Sequence, residues 1–206
     1  SGAFGAFRRK FLIQIGGWDT HTAEDLDLTV RIKQYFKRHP NWRIPFATLA
    51  IGHTDAPVTL KELVWQRLRW DGDLLFLYFR KHWPAFTPRL LGFSTFVFTL
   101  VYGFLQNVLM PFIILIYSIG IVVMYPWQFV MSISIILYCI YFCILLFFYL
   151  FVLIALSERL KQDLYLLKWL PIYPFYALFM RMVCVFALLN EIARRSHEES
   201  SMAPWW

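Results

Sequence analysis

From Leu90 to Ser157 the chain carries no Asp, Glu, Lys, Arg or His. A helix needs about 20 apolar residues to cross roughly 30 Å of hydrocarbon. The run is too long for one crossing and suits at least two. The residues before it hold most of the charge and several Gly and Pro, so a soluble part is expected to precede a membrane part. Composition agrees: 59% of the 206 residues are hydrophobic and the mean hydropathy is +0.54, values a soluble domain of this size rarely reaches.

The first span is placed near 95–123, with Gln106, Asn107 and Pro111 inside it. Polar residues within a span face neighbouring helices more often than lipid. Tyr125, Pro126 and Trp127 make a charge-free turn with interfacial aromatics, and the second span follows at about 129–156. Arg80, Lys81 and Arg89 precede the pair, and Arg159, Lys161 and Lys168 follow it. A two-span hairpin puts both basic groups on one side, as the positive-inside rule requires. The last apolar stretch, 169–190, is interrupted by Arg181, which leaves 12 uncharged residues on one side of it and 9 on the other. Each piece is short for a crossing, so an interfacial or re-entrant helix is expected, with a true third span as the alternative.

The net charge is +7. We read it as the basic loops that flank spans. No zinc spacing, RNP-like motif or basic helix points to a nucleic-acid partner. Cys139, Cys143 and Cys184 all lie in apolar segments with no CxxC, and read as small hydrophobes rather than a disulfide framework or metal site. No signal peptide is visible, and both ends look cut.

In the first ninety residues, 1–11 read as a Gly-rich strand or loop, and Gly16-Gly17 as a turn. Thr22-Ala23-Glu24-Asp25 resembles a capping box that starts a helix. Leu28, Ile32, Tyr35 and Phe36 then share one apolar face, at i, i+4, i+7 and i+8. Residues 42–52 alternate loosely and suit a strand, pushed to a sheet edge by Pro45. Thr59-Leu60-Lys61-Glu62 is a cleaner capping box for a second helix, followed by an aromatic and basic stretch that suits a membrane surface.

That second helix carries the sharpest chemical signal. Gln66, Arg69, Trp70 and Asp73 fall at i, i+3, i+4 and i+7 and share a face. A guanidinium offers a planar fork of donors to a diphosphate, and an indole offers a face on which a sugar ring can stack. Glu24 and Asp25 at a helix start have a plain structural reading, since carboxylates there complement the helix dipole. The same dipole would hold a carboxylate ionised as a general base. Trp18 and Asp19 could line an acceptor site or belong to a plain turn. His53 is a lone loop histidine and Arg181 a snorkelling cation.

Residues 1–9 (SGAFGAFRR), then Gly16-Gly17-Trp18-Asp19, Ala23-Glu24-Asp25 and Gln66-Arg67-Leu68-Arg69-Trp70, fall in the order seen in processive family 2 glycosyltransferases. The chain resembles bacterial cellulose, poly-N-acetylglucosamine and hyaluronan synthases over about residues 1–83. The resemblance implies an α/β fold: 1–57 would be the C-terminal part of a GT-A-like catalytic domain, on its acceptor side. Residues 58–89 would hold the QxxRW motif and interfacial helices, and 90–206 an all-α membrane region. It makes Asp25 the general base, although Ala23 stands where Thr is common. Gln66, Arg69 and Trp70, with Glu24, Trp18 and Asp19, would bind the diphosphate and acceptor sugar. Arg67 and Asp73 are not motif positions.

Such enzymes invert the anomeric carbon in one displacement, with a divalent metal (Mg or Mn) on the diphosphate of a nucleotide-sugar donor, here a UDP-sugar. In the family the DxD motif that holds the metal lies upstream of the matched motifs, so the resemblance assigns no metal ligand in this chain, and transfer is expected of an intact parent. The implied partners are a glycan or lipid acceptor, membrane lipids and an accessory membrane subunit. The implied location is a bacterial inner membrane, with 1–89 cytoplasmic. A non-processive lipid glycosyltransferase and a non-catalytic membrane scaffold are the alternatives.

Overall fold

The computed structural model describes residues 5–20, 23–39, 41–45, 47, 50, 52 and 55–195. It is 81% helical, and no strand occurs among the described residues. The α/β, GT-A-like expectation is therefore overturned. The expected strand at 42–52 is irregular wherever it is described, and Phe46, Thr48, Leu49 and Ile51 lie outside the described residues. A strand persists only if a neighbour takes its backbone hydrogen bonds, and alternation of side chains alone supplies none. Of residues 1–11, read as strand or loop, 5–8 are irregular, as a loop would be, while 9–11 form the start of helix α1 (Arg9–Gln14) and 1–4 lie outside the described residues.

The chain forms two compact units, one of Ser1–Pro111 with Val183–Trp206, the other of Phe112–Met182. In the first unit, Gly16 and Gly17 make the expected turn with φ of 87° and 66°, a region that suits glycine. Helix α2 (Glu24–Arg38) starts at Ala23, which takes a left-handed φ of 47° and gives no side-chain cap. Thr22, the first residue of the capping box read at this start, lies outside the described residues. The apolar face of α2 is as its spacing implies. Leu28 and Ile32 are buried with Phe11 of α1, and Tyr35 and Phe36 pack against them. Phe11 also stacks on Trp42 at 5.2 Å and meets Tyr35 edge-on at 5.4 Å.

Helix α3 (Leu60–Phe76) begins with a complete capping box. The Glu62 amide donates to Thr59 Oγ1 (3.2 Å), and the Val58 and Thr59 amides donate back to Glu62 Oε2 (3.0 and 3.4 Å). The Val58 amide is the main cause that holds the Glu62 carboxyl below its ordinary value, helped by Thr59. The helix then widens into a π turn, Leu77–Lys81, closed by the His82 amide on Leu77 O (2.9 Å). A short 3₁₀ turn (Trp83–Ala85) and helix α4 (Pro88–Leu91) lead to the apolar part.

Among the described residues, three helices are long and apolar enough to cross a membrane: Phe93–Met124, Trp127–Leu156 and Leu160–Arg194. That is compatible with an integral membrane protein. The first combines α5 (Phe93–Phe98), a π segment (Thr99–Leu109) and α6 (Met110–Met124). The second is α7 (Trp127–Leu156). The third runs through α8 (Leu160–Leu166), a 3₁₀ segment (Leu167–Ile172) and α9 (Tyr173–Arg194). Arg181, which divided this stretch on paper, sits inside one unbroken helix, so length no longer excludes a crossing.

Within the first unit, α9 is tied to the first apolar helix by a local defect. Pro111 has no amide to give Asn107 O, and the Cys184 thiol donates to that carbonyl instead (3.5 Å). Cys184 is buried as expected, whereas Cys139 and Cys143 are exposed on α7. Further along α9, the fully buried Glu191 meets Arg80 Nη1 at 3.5 Å. In the second unit, Tyr138 Oη donates to Pro171 O (3.1 Å) and Tyr149 Oη to Asp163 O, while Ser157 Oγ donates to Asp163 Oδ2 (2.7 Å).

Candidate functional site

The chemistry-bearing residues of the first unit fall into three groups. The first is the motif face of α3. Gln66 is half-buried, and Arg69 and Trp70 are exposed, Trp70 at 47%. Arg67, outside the motif, lies 5.0 Å from the Trp70 ring and covers it as a cation on a π face. Its Nε is buried and has no hydrogen-bond partner among the described residues. Asp73 shares the helical register but is 5% exposed, so it belongs to the packed side. A canonical helix would align all four, and burial separates the fourth from the rest.

The second group is the start of α2. Glu24 and Asp25 are half-buried in its first turn. The Asp25 carbonyl accepts the Thr29 hydroxyl (2.7 Å). No hydrogen bond or ion pair joins the Asp25 carboxylate to Gln66, Arg69 or Trp70 among the described residues. Trp18 is 58% exposed. The Asp19 carboxylate pairs with Lys81 (3.0 Å), and its carbonyl accepts from the same ammonium (2.9 Å). His53 lies outside the described residues.

The third group was not foreseen. Asp27 is wholly buried and is the centre of a charged cluster. Arg31 meets its Oδ2 with Nε and Nη2, each at 2.8 Å. His82 Nε2 lies 2.7 Å and Lys81 Nζ 3.0 Å from Oδ1. The same guanidinium donates to Ile15 O (2.8 Å) and Gly17 O (2.6 Å). One carboxylate therefore joins the glycine turn, α2 and the π turn after α3. Lys81 ends the π turn and His82 follows it, and both reach the carboxylate. Asp27 and Arg31 at i, i+4 were a visible pair. Lys81 and His82 lie more than fifty positions away and carried no local signal.

Burial pushes the Asp27 carboxyl upward more than any other single cause. Hydrogen bonds from His82 and Lys81, with the charges of Arg31 and Lys81, together outweigh it and hold the group below its ordinary 3.8. A carboxyl lowered in the folded state adds stability that is complete above the unfolded value and is lost as pH falls through the folded one. We expect the unfolding midpoint of the detergent-solubilised protein to drop steeply as pH is lowered from about 5 to about 2. Asp27→Asn should flatten that slope. An equally steep acid limb in the variant would move its origin to other carboxylates.

Beside these groups lies a cleft of about 270 Å³, lined among others by Leu26, Val30, Lys33, Tyr78, Phe98 and Tyr102. Asp25, Gln66, Arg69 and Trp70 do not line it. Burial pushes the Tyr78 phenol above its ordinary 10.0. A Cβ placed on Gly103 would come within 2.7 Å of Tyr78 Oη, so only glycine lets that ring approach the π segment. Among the described residues no three His, Cys, Asp or Glu side chains gather to hold a metal ion. No protein-family model, curated protein or solved structure matches the chain.

Proposed function

We propose that this chain supplies the acceptor side and membrane helices of an enzyme that transfers a sugar from a nucleotide-sugar to a growing glycan, at a bacterial inner membrane with 1–89 cytoplasmic. The observation that carries the reading is the exposed pair Arg69 and Trp70 on α3, one helical turn from Gln66, with Arg67 bracing the indole. A braced, half-exposed tryptophan beside a guanidinium suits a sugar next to a diphosphate better than it suits a packed core.

In this reading Asp25 removes the proton from an acceptor hydroxyl. The oxygen then attacks the anomeric carbon of the donor, and the bond from that carbon to the diphosphate oxygen breaks. The nucleoside diphosphate leaves with the electron pair, and the configuration inverts. Arg69 stabilises the charge that develops on the leaving oxygen, an interaction strongest in the transition state. Trp70 holds the acceptor ring in line. Those steps join two places that no direct hydrogen bond or ion pair links, so bound substrates would bridge them.

The test is transfer of labelled sugar from a UDP-sugar series by the full-length parent protein in proteoliposomes. Trp70→Ala is expected to raise the acceptor KM about tenfold or more, the scale of a lost aromatic stacking contact. The donor KM should stay near that of the parent. Equal losses for donor and acceptor would mean that Trp70 only packs α3. Absence of transfer from every UDP-sugar, by parent protein with intact nucleotide binding, would remove the enzymatic reading and leave the membrane scaffold.

A further inference from the structure

The cleft in the first unit is built for a different ligand from the motif face. Its walls come from α2 (Leu26, Val30), the end of α3 (Leu74, Tyr78), and the first apolar helix (Phe98, Tyr102). Its polar side chains offer little to a sugar. The Thr29 hydroxyl donates to Asp25 O (2.7 Å), and the Thr99 hydroxyl donates to Thr95 O (2.8 Å). The Asn107 amide donates to Tyr102 O. The Thr29 and Thr99 hydroxyls and one Asn107 N–H are thus taken by backbone carbonyls nearby in the chain, and most of the other lining side chains are carbon. A sugar without hydrogen-bond partners would lose its hydration uncompensated, whereas an alkyl chain gains by leaving water.

The one charged group in the lining is Lys33, whose Nζ sits 5.2 Å from the Phe98 ring centroid. One turn further along α2, Lys37 lies beside Gly92, where an added Cβ would be 3.6 Å from Lys37 Cδ. Gly92 immediately precedes the first helix that is long enough to cross a membrane, Phe93–Met124. Lys37 therefore stands where that helix begins, and Lys33 stands over Phe98, about one turn and a half into it. From Phe98 the lining continues along the helix through Tyr102, Gly103 and Asn107. Cations at the head and carbon along the span match a molecule with an anionic head and an alkyl tail.

We infer that the cleft binds an anionic phospholipid, with one acyl chain along the π segment between Phe98 and Asn107 and the phosphate at Lys33 and Lys37. The bilayer delivers this ligand, because the first apolar helix is itself one wall of the cleft. The inference holds whether or not the chain transfers sugar.

The test is native mass spectrometry of the full chain released from nanodiscs of equal phosphatidylglycerol and phosphatidylcholine. One phosphatidylglycerol is expected to be retained in preference to phosphatidylcholine. Lys33→Gln should reduce that preference about fivefold, the worth of one lysine near an anionic surface. Val30→Trp, which fills the cleft, should remove the retained lipid in a protein whose far-UV circular dichroism is unchanged. Lys168→Gln serves as the control, since that cation stacks on Tyr165 (3.5 Å) and Trp169 (5.3 Å) in the other compact unit. It should leave retention unchanged. Equal retention of the two lipids by the parent chain overturns the inference. So does an undiminished preference in Lys33→Gln, or equal losses in Lys33→Gln and Lys168→Gln.

Discussion

Asp27→Ala is expected to cost about 3–5 kcal/mol of stability, the usual result of removing one side of a buried ion pair. Against a typical total of about 5–15 kcal/mol, that leaves the first unit at the edge of unfolding. The carboxylate is fully buried, and its partners Arg31, Lys81 and His82 have side chains only 17%, 20% and 9% exposed. Without Asp27, three donors lose their common acceptor in a place water reaches poorly. The damage then spreads, because the Arg31 fork that Asp27 orients also holds the carbonyls of Ile15 and Gly17. Lys81→Ala should cost far less, since it leaves Arg31 and His82 on the carboxylate and removes a pairing with an Asp19 that is 67% exposed. Denaturant unfolding in detergent micelles, followed by far-UV circular dichroism, measures both. A loss below about 1 kcal/mol for Asp27→Ala would show that water replaces the partners and that the cluster does not organise the fold.

Asp25→Asn in the full-length parent protein is expected to lower sugar transfer by about 100- to 10,000-fold, the range contributed by a positioned general base. The substitution keeps the shape and removes the ability to take a proton. Nucleotide-sugar affinity should stay within about twofold, because a base acts in the transition state and not in donor binding. The fold should tolerate the change. The one contact described for Asp25 runs through its backbone carbonyl, which accepts from Thr29, and an asparagine keeps that carbonyl. This separates the variant from Asp27→Ala, where lost activity would follow lost structure. Transfer at the parent rate in folded Asp25→Asn would take Asp25 out of the reaction. It would also leave the start of α2 with only the ordinary role of acidic residues near a helix dipole.

The two aspartates stand two positions apart, yet only one of them could be weighed from the chain alone. Asp25 drew attention through its place in a motif, and Asp27 offered no more than an i, i+4 spacing to Arg31. Local patterns read well where the physics is local. The face Leu28, Ile32, Tyr35 and Phe36 packs against Phe11 because residues three or four apart lie on one side of a helix. The Thr59–Glu62 box forms because both groups it needs sit within one turn. The expected spans at 95–123 and 129–156 fall within Phe93–Met124 and Trp127–Leu156, because hydrocarbon accepts no long uncharged stretch except as helix or barrel.

Readings that required partners from elsewhere fared differently. Residues 42–52 alternate as a strand would, but no sheet is present among the described residues to receive them. Arg181 made two short pieces of 169–190 on paper, while the helix continues through it to Arg194. Asp19, read as lining an acceptor site or belonging to a plain turn, has a partner no local pattern showed, Lys81.

The sequence by itself determined helix α2 with its buried face, the capped start of α3 and the separation of charge from hydrocarbon, because each depends on residues within a few positions of one another. Only the tertiary structure decided what Asp27 holds, how Cys184 serves the carbonyl that Pro111 leaves open, and where Lys33 stands over a cleft of carbon. Those depend on Lys81 and His82 meeting α2, on α9 reaching the first apolar helix, and on three elements closing around one space. A pairing across that much chain is set by the free energy of the whole packing, and no window of sequence contains it.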